Sequence, residues 1–239
     1  MKLVFLGTRG YIESKSRRHR RHAALLIAFR GRAVMIDCGE DWLGCLPAIG
    51  ARAILVTHAH PDHAWGLRDG APCPVYATTE AWGGMADFPI ADRRTVYPRT
   101  RFKLEGMVVE AFPVIHSLRA PAVGYRLEAG RARLCYVPDV VDIIDRDAAL
   151  GGVDLYVGDG ACVVRPMVRR QGDALFGHTT IRAQLGWCAQ AGVRRALFTH
   201  CGREIVDGDE RRIGAAVRAL GRAHGVEAAI AHDGLRVTL

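Results

Sequence analysis

Short apolar runs recur along this chain, and most of them are followed by polar residues or glycine. Ile54–Val56 is the central run; it is apolar, largely β-branched and too short for a helix, so it predicts a buried strand. The same pattern predicts other strands, two of them less regular, at Lys2–Leu6, Val75–Ala77, Arg93–Tyr97, Arg101–Leu104, Met107–Val114, Val153–Val157 and Ala196–Thr199. Paired runs separated by a turn predict hairpins at Ala23–Ile36, Val123–Val137 and Ala228–Leu239.

Helices are predicted between several of these strands, at Asp41–Ile49, Trp65–Asp69, Thr79–Phe88 and Ile181–Ala191. The last of them is the clearest, because Gly192 provides a stop signal directly after it. Alternation of strands and helices indicates an α/β chain. The 239 residues show no internal repeat and no linker, so we expect one domain over residues 1–239.

The end of the Ile54–Val56 strand carries a dense group of possible metal ligands: His58, His60, Asp62 and His63. Imidazole and carboxylate groups suit Zn²⁺ and similar ions, and such a tight loop allows two ions to lie close together. Pro61 predicts a structured loop here, because it lacks a backbone N–H and fixes φ. An ordinary polar loop with surface histidines is the alternative, and the hydrophobic strand before the motif disfavours it.

More histidines and aspartates, which can also bind metal ions, follow later strands in the sequence. His116, Asp139 and His200 each follow a predicted strand. Asp37 and Asp159 also lie at strand ends, where each either orients a metal-bound imidazole or forms a plain turn. We expect His19 and His224, which have no such context, to lie on the surface.

Composition fits a soluble globular protein, with 49% hydrophobic and 24% charged residues. The first apolar run is too short for a signal peptide, and no apolar stretch approaches the length of a membrane helix, so we expect a cytoplasmic protein without membrane contact. The seven cysteines are scattered and never form a C-x-x-C pair, which favours reduced thiols over disulfides or a zinc ribbon.

The net charge of +8 and the pI of about 9.4 favour an anionic partner or substrate. Much of the excess is arginine, in the basic segment 15–22 and at Arg165, Arg169 and Arg170. Arginine suits phosphate, but a solvated basic face remains an equal explanation.

The ordered set His58-x-His60-x-Asp62-His63, His116, Asp139 and His200 resembles the ligand set of the phosphodiesterase branch of the metallo-β-lactamase-fold hydrolases. That branch includes tRNase Z and the phosphoribosyl cyclic phosphodiesterase of phosphonate metabolism. The resemblance implies a four-layered αββα sandwich and two divalent metal ions, Zn²⁺ first, with Mn²⁺ or Fe²⁺ as alternatives. It assigns one metal to His58, His60 and His116, the other to Asp62, His63 and His200, and a bridging role to Asp139.

The resemblance also extends to an H-x-T element before a helix, matched by His178 and Thr180. In the family this histidine reaches the scissile phosphate, so His178 is a candidate catalytic residue together with Asp62, which would orient the attacking water. Thr180, Asp37 and Asp159 are expected to support the site. Arg165, Arg169 and Arg170 are candidates for binding the substrate phosphate from a loop beside the cleft.

Three departures separate the chain from the two named members of the branch. His116 and Asp139 are too close in sequence to contain the tRNA-binding arm of tRNase Z. Tyr136 stands where tRNase Z has an acidic residue before its bridging aspartate, and segment Thr8–His22 lacks the cysteines of the additional zinc site of the cyclic phosphodiesterase.

The expected function is therefore hydrolysis of a small cyclic phosphate or nucleotide-like phosphodiester. The alternatives are a ribonuclease acting on RNA ends, a lactone or thioester hydrolase on the same metals, and a metal-stabilised binding module. RNA is an alternative partner, and a homodimer is the base-rate expectation for the assembly.

Overall fold

The computed structural model describes residues 1–239 and contains strands that form two large sheets and one hairpin. In chain order the strands are β1 Lys2–Gly7, β2 Ala24–Phe29, β3 Arg32–Ile36, β4 Ala53–Leu55, β5 Val75–Ala77, β6 Arg93–Thr95, β7 Phe102–Leu104, β8 Met107–Ile115, β9 Ala122–Ala129, β10 Ala132–Tyr136, β11 Asp142–Ile143, β12 Leu155–Asp159, β13 Met167–Gln171, β14 Ala174–His178, β15 Arg195–Thr199, β16 Glu227–Ile230 and β17 Arg236–Thr238.

The helices lie mainly in the connections between strands of the same sheet. They are α1 Leu46–Ile49, α2 Pro61–Ala64, α3 Thr79–Gly84, α4 Arg146–Leu150, α5 Ile181–Gln190, α6 Arg203–Val206 and α7 Glu210–Ala223, with 3₁₀ turns at Glu40–Trp42 and Trp65–Leu67. None of these helices has the length and hydropathy needed to cross a membrane.

The two large sheets face each other across one of the three apolar cores. One has the strand order β17-β1-β2-β3-β4-β5-β6, and the other has β11-β8-β9-β10-β12-β15-β16, with β7 added beside β8. Phe5, Leu55, Tyr125 and Leu155 are fully buried between the sheets. A second core lies under α5 and α7, and a third lies under α1 and α3. The molecule is therefore the αββα sandwich expected from the sequence.

Parallel strands in each sheet bring their carboxyl ends to one edge of the sandwich. β3, β4, β5 and β6 are parallel to one another, and so are β10, β12, β15 and β16. Residues that follow these strands in sequence therefore meet at one place, as the carboxyl ends of α/β sheets commonly do.

Most predicted strands are present within a few residues of their predicted bounds, but the last predicted hairpin is wrong. β16 pairs in parallel with β15 in one sheet, whereas β17 pairs antiparallel with β1 in the other. The turn at Asp233-Gly234 therefore carries the chain from one sheet to the other. Each strand therefore forms hydrogen bonds with the edge of a large sheet and packs against the apolar core under that sheet. A free two-stranded hairpin would have no such core.

Two other local predictions also differ from the structure. Pro61 does not continue the strand, as predicted, but in place of a structured loop it begins α2, where a missing N–H costs nothing because the first helical residues have no acceptor for it. The segment 160–177, predicted as a loop, contains the hairpin β13–β14. The helices α4, α6 and α7 were not predicted.

Candidate metal centre and its cleft

The seven candidate ligands from the sequence all lie at the carboxyl edge of the two sheets. They come from the turns after β4, β8, β10 and β15, and their donor atoms form groups of three within 4.8 Å. Each predicted trio is one such group: His58, His60 and His116 are the first, and Asp62, His63 and His200 are the second. All but His60 are buried.

Distances within the trios are those of donors directed at a common point. His58 Nε2 lies 2.8 Å from His60 Nδ1, which is 3.4 Å from His116 Nε2. Asp62 Oδ2 lies 3.0 Å from His200 Nε2 and 3.3 Å from His63 Nε2. In each trio the donor atoms therefore lie close enough together to bind one ion.

Asp139 lies between the two trios. Its Oδ2 is 2.7 Å from His63 Nε2, and its Oδ1 is 3.3 Å from His200 Nε2 and 3.8 Å from His116 Nε2. His63 Nε2 and Asp139 Oδ2 are buried, and neither makes a hydrogen bond of acceptable geometry. Buried polar atoms are normally satisfied, so orphaned donor and acceptor atoms at this point fit a site that binds cations. The nitrogen and oxygen donors suit divalent transition metals.

The supporting groups orient the ligands through their second ring nitrogen. Asp37 Oδ2 lies 2.9 Å from His63 Nδ1, and Asp37 in turn accepts hydrogen bonds from the backbone N–H and the hydroxyl of Thr57. The Thr57 hydroxyl also lies 3.0 Å from His58 Nδ1. Sequence reasoning missed Thr57, although its position directly before His58 was a usable signal. Carboxylates and hydroxyls in this position fix the tautomer of a metal-binding imidazole.

His178 lies at the end of the β13–β14 hairpin and faces the same centre. Its Nδ1 is 2.8 Å from Asp159 Oδ2 and 3.5 Å from Asp139 Oδ1. The backbone N–H groups of Val140 and Ala161 donate to Asp159, which holds its carboxylate in place. Thr180 takes a different position: its hydroxyl accepts from the N–H of Ala183 and caps α5.

Ionisation in this cluster follows from burial and from the mixture of histidines and carboxylates. Burial lowers the pKa of His116 to about 4 and that of His58 well below its usual range, so both are neutral and have free lone pairs. Burial also works to raise the pKa of Asp139, but His200, His63 and His116 hold it well below its usual range. His200 is buried too, yet Asp139, Asp159 and Asp62 raise its pKa to about 10. Because a cation replaces protons in such a cluster, metal binding should release protons.

Two ligating or supporting residues have unusual backbone conformations. Asp37 has φ of 60° and His200 has φ of 52°, in the left-handed region that residues other than glycine rarely occupy. Such conformations persist where the surrounding structure imposes them, commonly at functional sites. No sequence signal predicted either one.

Gly39 allows the turn after β3 to pack directly against the metal-binding loop. A Cβ atom at Gly39 would lie 2.1 Å from the carbonyl oxygen of Asp62. We therefore expect Gly39→Ala to displace Asp62 and lower zinc affinity by about 10- to 100-fold, the range seen when groups that orient metal ligands are changed. The measurement is zinc content after dialysis against a competing chelator, with circular dichroism to verify folding.

Gly83→Ala is the matched control, because a Cβ atom there would meet nothing within 4 Å in helix α3. It should keep its zinc. Equal zinc retention in a folded Gly39→Ala protein would show that the close approach to Asp62 has no role in binding.

A cleft of about 880 Å³ flanks the metal centre. Its walls come from the loop after β1, the turn after β3, the start of the β13–β14 hairpin and helix α6. A Cβ atom at Gly10 would lie 3.0 Å from the ring of His200, and Cys162 Sγ lies 3.3 Å from the carbonyl oxygen of Thr179. Gly10 of the loop after β1 therefore lies directly against the candidate ligand His200.

The three candidate arginines divide between this cleft and the hairpin. Arg165 lines the cleft. Arg169 and Arg170 are exposed farther along β13, opposite Phe176 and Leu175. Opposite residues in an antiparallel pair share a face, so Arg169, Phe176, Met167 and His178 lie on one face of the hairpin and Arg170 on the other.

Tyr136 and His19 are both buried. The Tyr136 hydroxyl has no hydrogen-bond partner, and burial raises its pKa well above the usual range, so it cannot replace a carboxylate. The prediction that His19 lies on the surface is wrong: it is 5% exposed and its Nδ1 is 2.8 Å from the Thr8 hydroxyl. All seven cysteines are free thiols, as predicted.

The αββα sandwich with histidine and aspartate clusters at one sheet edge defines a metal-dependent hydrolase of the metallo-β-lactamase fold. Residues 32–201 match the family described as "Beta-lactamase superfamily domain", and the chain belongs to this family.

Relatives and solved structures agree with this assignment. The chain is 30% identical to a ribonuclease Z of Methanopyrus kandleri over 169 residues, which are 62% of this chain and 59% of that protein. It is 28% identical to coenzyme PQQ synthesis protein B of Methylobacterium radiotolerans over 227 residues, 79% of this chain and 73% of that protein.

Among solved structures, a diphosphatase from the PhnP family superposes with a TM-score of 0.74 at 20% identity, covering 99% of this chain and 96% of the other. The short form of human tRNase Z superposes with a TM-score of 0.67 at 18% identity, covering 100% and 99%. The family resemblance recognised from the sequence is therefore confirmed.

Proposed function

We propose that this protein hydrolyses phosphodiesters at a centre of two divalent cations, with Zn²⁺ as the first candidate. The observation that carries the proposal is the position of Asp139, whose carboxylate reaches His63 and His200 on one side and His116 on the other. Bound cations at such a centre supply an activated water and neutralise charge on the phosphoryl oxygens.

The residues of the chain divide the remaining tasks. Asp62, 3% exposed and next to His200 and His63, orients the attacking water. His178, held by Asp159, lies 3.5 Å from the bridging carboxylate, where its ring stabilises or protonates the leaving oxygen. Of the three arginines proposed from the sequence to bind the substrate phosphate, Arg165 is the one that lines the cleft, and we assign it this role.

A small phosphodiester fits the structure better than an RNA end. Kinship with a ribonuclease Z favours RNA. However, the segment between His116 and Asp139 holds only β9, β10 and their turns, with no arm to grip a large RNA. The salt dependence of binding distinguishes the two substrates. Binding of RNA would weaken steeply as the salt concentration rises, whereas binding of a small phosphodiester should weaken only slightly.

The test is a substrate panel for the purified protein with its metal content quantified. We expect turnover of bis(4-nitrophenyl) phosphate, loss of turnover after chelation, and recovery when Zn²⁺ or Mn²⁺ is restored. Cleavage of lactones or thioesters by the metal-loaded protein, without phosphodiester turnover, would mean that the site carries out a different hydrolysis.

A further inference from the structure

The cleft beside the metal centre is not basic, although the whole chain carries a net charge of +8. Four cationic side chains line it, and four carboxylates balance them. Of the basic segment 15–22 only Lys15 and His22 line this cleft. Arg17 and Arg18 line a separate cavity beside α7, and Arg20 and Arg21 line another near Asp233. The cavity of Arg20 and Arg21 shares Lys15 and Asp41 with the cleft, but the four arginines of the basic segment do not line the cleft itself.

Half of the charged groups in the cleft are already paired within the protein. Arg9 and Lys15 both pair with Asp41, and the carboxylate of Glu204 accepts a hydrogen bond from the N–H of Val163. Arg9, Lys15 and Asp41 therefore hold one another in place, whereas Glu204 is held by a backbone N–H and keeps its negative charge beside Arg203.

The other four charged side chains make no ion pair and no side-chain hydrogen bond. The two carboxylates among them lie on one side of the cleft, and the two arginines lie on the other. Glu13 and Glu40 belong to the loop after β1 and the turn after β3, whereas Arg165 and Arg203 belong to the hairpin side and helix α6. With the other charged groups of the cleft included, the first side keeps one negative charge in excess and the second side keeps one positive charge in excess. We call these sides the acidic wall and the basic wall. A ligand that carries both signs of charge is complementary to this arrangement, and a polyanion is not.

Tyr11 and His22 add aromatic surface to the acidic side of the cleft. Tyr11 is 60% exposed and lines the same wall, with its ring centroid 6.1 Å from that of His22. His22 also lines the cleft; its side chain is 2% exposed, and its Nδ1 lies 3.2 Å from the Asp41 carboxylate, which holds the ring in place. An exposed aromatic ring beside free carboxylates is the chemistry that binds ammonium groups.

We propose that the cleft binds the cationic head group of a zwitterionic phosphodiester, an ester of an amino alcohol such as choline or ethanolamine. Glu13, Glu40 and Tyr11 bind the ammonium group, while Arg165 and Arg203 face the phosphodiester. This inference rests on the proposed phosphodiesterase function and narrows its substrate class. It assigns the acidic wall a role in specificity and none in the chemical step.

The experiment compares two esters that differ in the ammonium group: 4-nitrophenyl phosphorylcholine and ethyl 4-nitrophenyl phosphate. For the zinc-loaded protein we expect kcat/KM about tenfold higher for the choline ester, the combined effect of one cation–π contact and screened ion pairs. In the double variant Glu13→Gln/Glu40→Gln the choline ester should lose this advantage, and the ethyl ester should change less than twofold. Glu80→Gln, an exposed carboxylate on α3 outside the cleft, is the control and should behave like the unchanged protein.

Binding provides a readout that does not depend on turnover. Isothermal titration of the zinc-loaded protein with phosphocholine and with ethyl phosphate should show the same preference and its loss in the double variant. Hydrolysis of both esters at equal efficiency, with equal binding of the two phosphates, would overturn the head-group assignment and leave the phosphodiesterase intact. A preference for phosphocholine in binding, with no ester hydrolysed, would instead overturn the proposed reaction. Faster cleavage of a dinucleotide than of the choline ester would overturn the head-group assignment in favour of nucleic acid.

Discussion

Replacing Asp139 with asparagine is expected to lower kcat/KM for a phosphodiester by about 10³-fold, equivalent to roughly 4 kcal/mol of transition-state stabilisation. Asparagine keeps the shape of the side chain but removes the negative charge that lies between the two ligand trios. Asp139 is 3% exposed, and its two oxygens reach His63, His200 and His116. No other carboxylate lies within 4 Å of histidines from both trios.

The measurement pairs steady-state kinetics with metal analysis of the same preparation. We expect Asp139→Asn to retain fewer than two metal ions per chain. Asp69→Asn, at an exposed position without an ion pair, is the matched control and should keep both metals and full activity. An Asp139→Asn protein with two metals and undiminished activity would refute the bridging role.

Replacing His178 with alanine is expected to lower kcat by about 10² to 10⁴-fold while the metal content stays unchanged. The reason is positional: the ring is anchored by Asp159 at 2.8 Å and faces Asp139. His178 also lies within 4.8 Å of two other groups of possible ligands, with His116 and Asp139 and with Asp159 and His200, but it is outside the two trios assigned to the metals. It can therefore be removed without emptying the centre. An imidazole that protonates a leaving oxygen matters most when the leaving group is a poor one.

The test for this role uses leaving groups of different basicity. The loss in His178→Ala should be larger for an alkyl ester than for a 4-nitrophenyl ester, since 4-nitrophenolate leaves with little help. His224→Ala, at the end of α7 outside the centre, should change neither rate. An equal loss for both leaving groups would argue that His178 only positions the substrate, and loss of metal would show that it is a ligand.

The candidate metal ligands could be predicted because their chemistry is concentrated at strand ends. The motif from His58 to His63 follows the apolar run of β4, and His116, Asp139 and His200 follow other strands of the same kind. Parallel strands bring such ends together. Sequence position and residue type therefore sufficed to find these groups, and the structure brings all of them into one cluster.

What the sequence did not predict depends on contacts between distant segments. β16 and β17 look like a hairpin, yet each pairs with a strand of a different sheet. His19 has no local reason to be buried, but Thr8 and Asp233 form its surroundings, and the Thr8 hydroxyl donates to Asp233. The backbone conformation at His200 is likewise imposed by its surroundings.

The cleft could not be derived from composition. The total charge of +8 favoured an anionic partner or substrate, whereas the four arginines of the basic segment line cavities other than this cleft. Only the three-dimensional arrangement shows that Glu13 and Glu40 meet Arg165 and Arg203 across one cleft. Net charge describes the average field of a protein and not the field at its active site.

Anomalous diffraction from crystals grown with Zn²⁺ is the most direct test of a two-metal centre in this chain. Two peaks about 3.5–4 Å apart are expected, as in other two-metal hydrolases, with the Asp139 carboxylate between them and the two trios on either side. A single zinc ion closed by four protein ligands, or no peak at these residues, would contradict the proposed centre and with it the reaction derived from it.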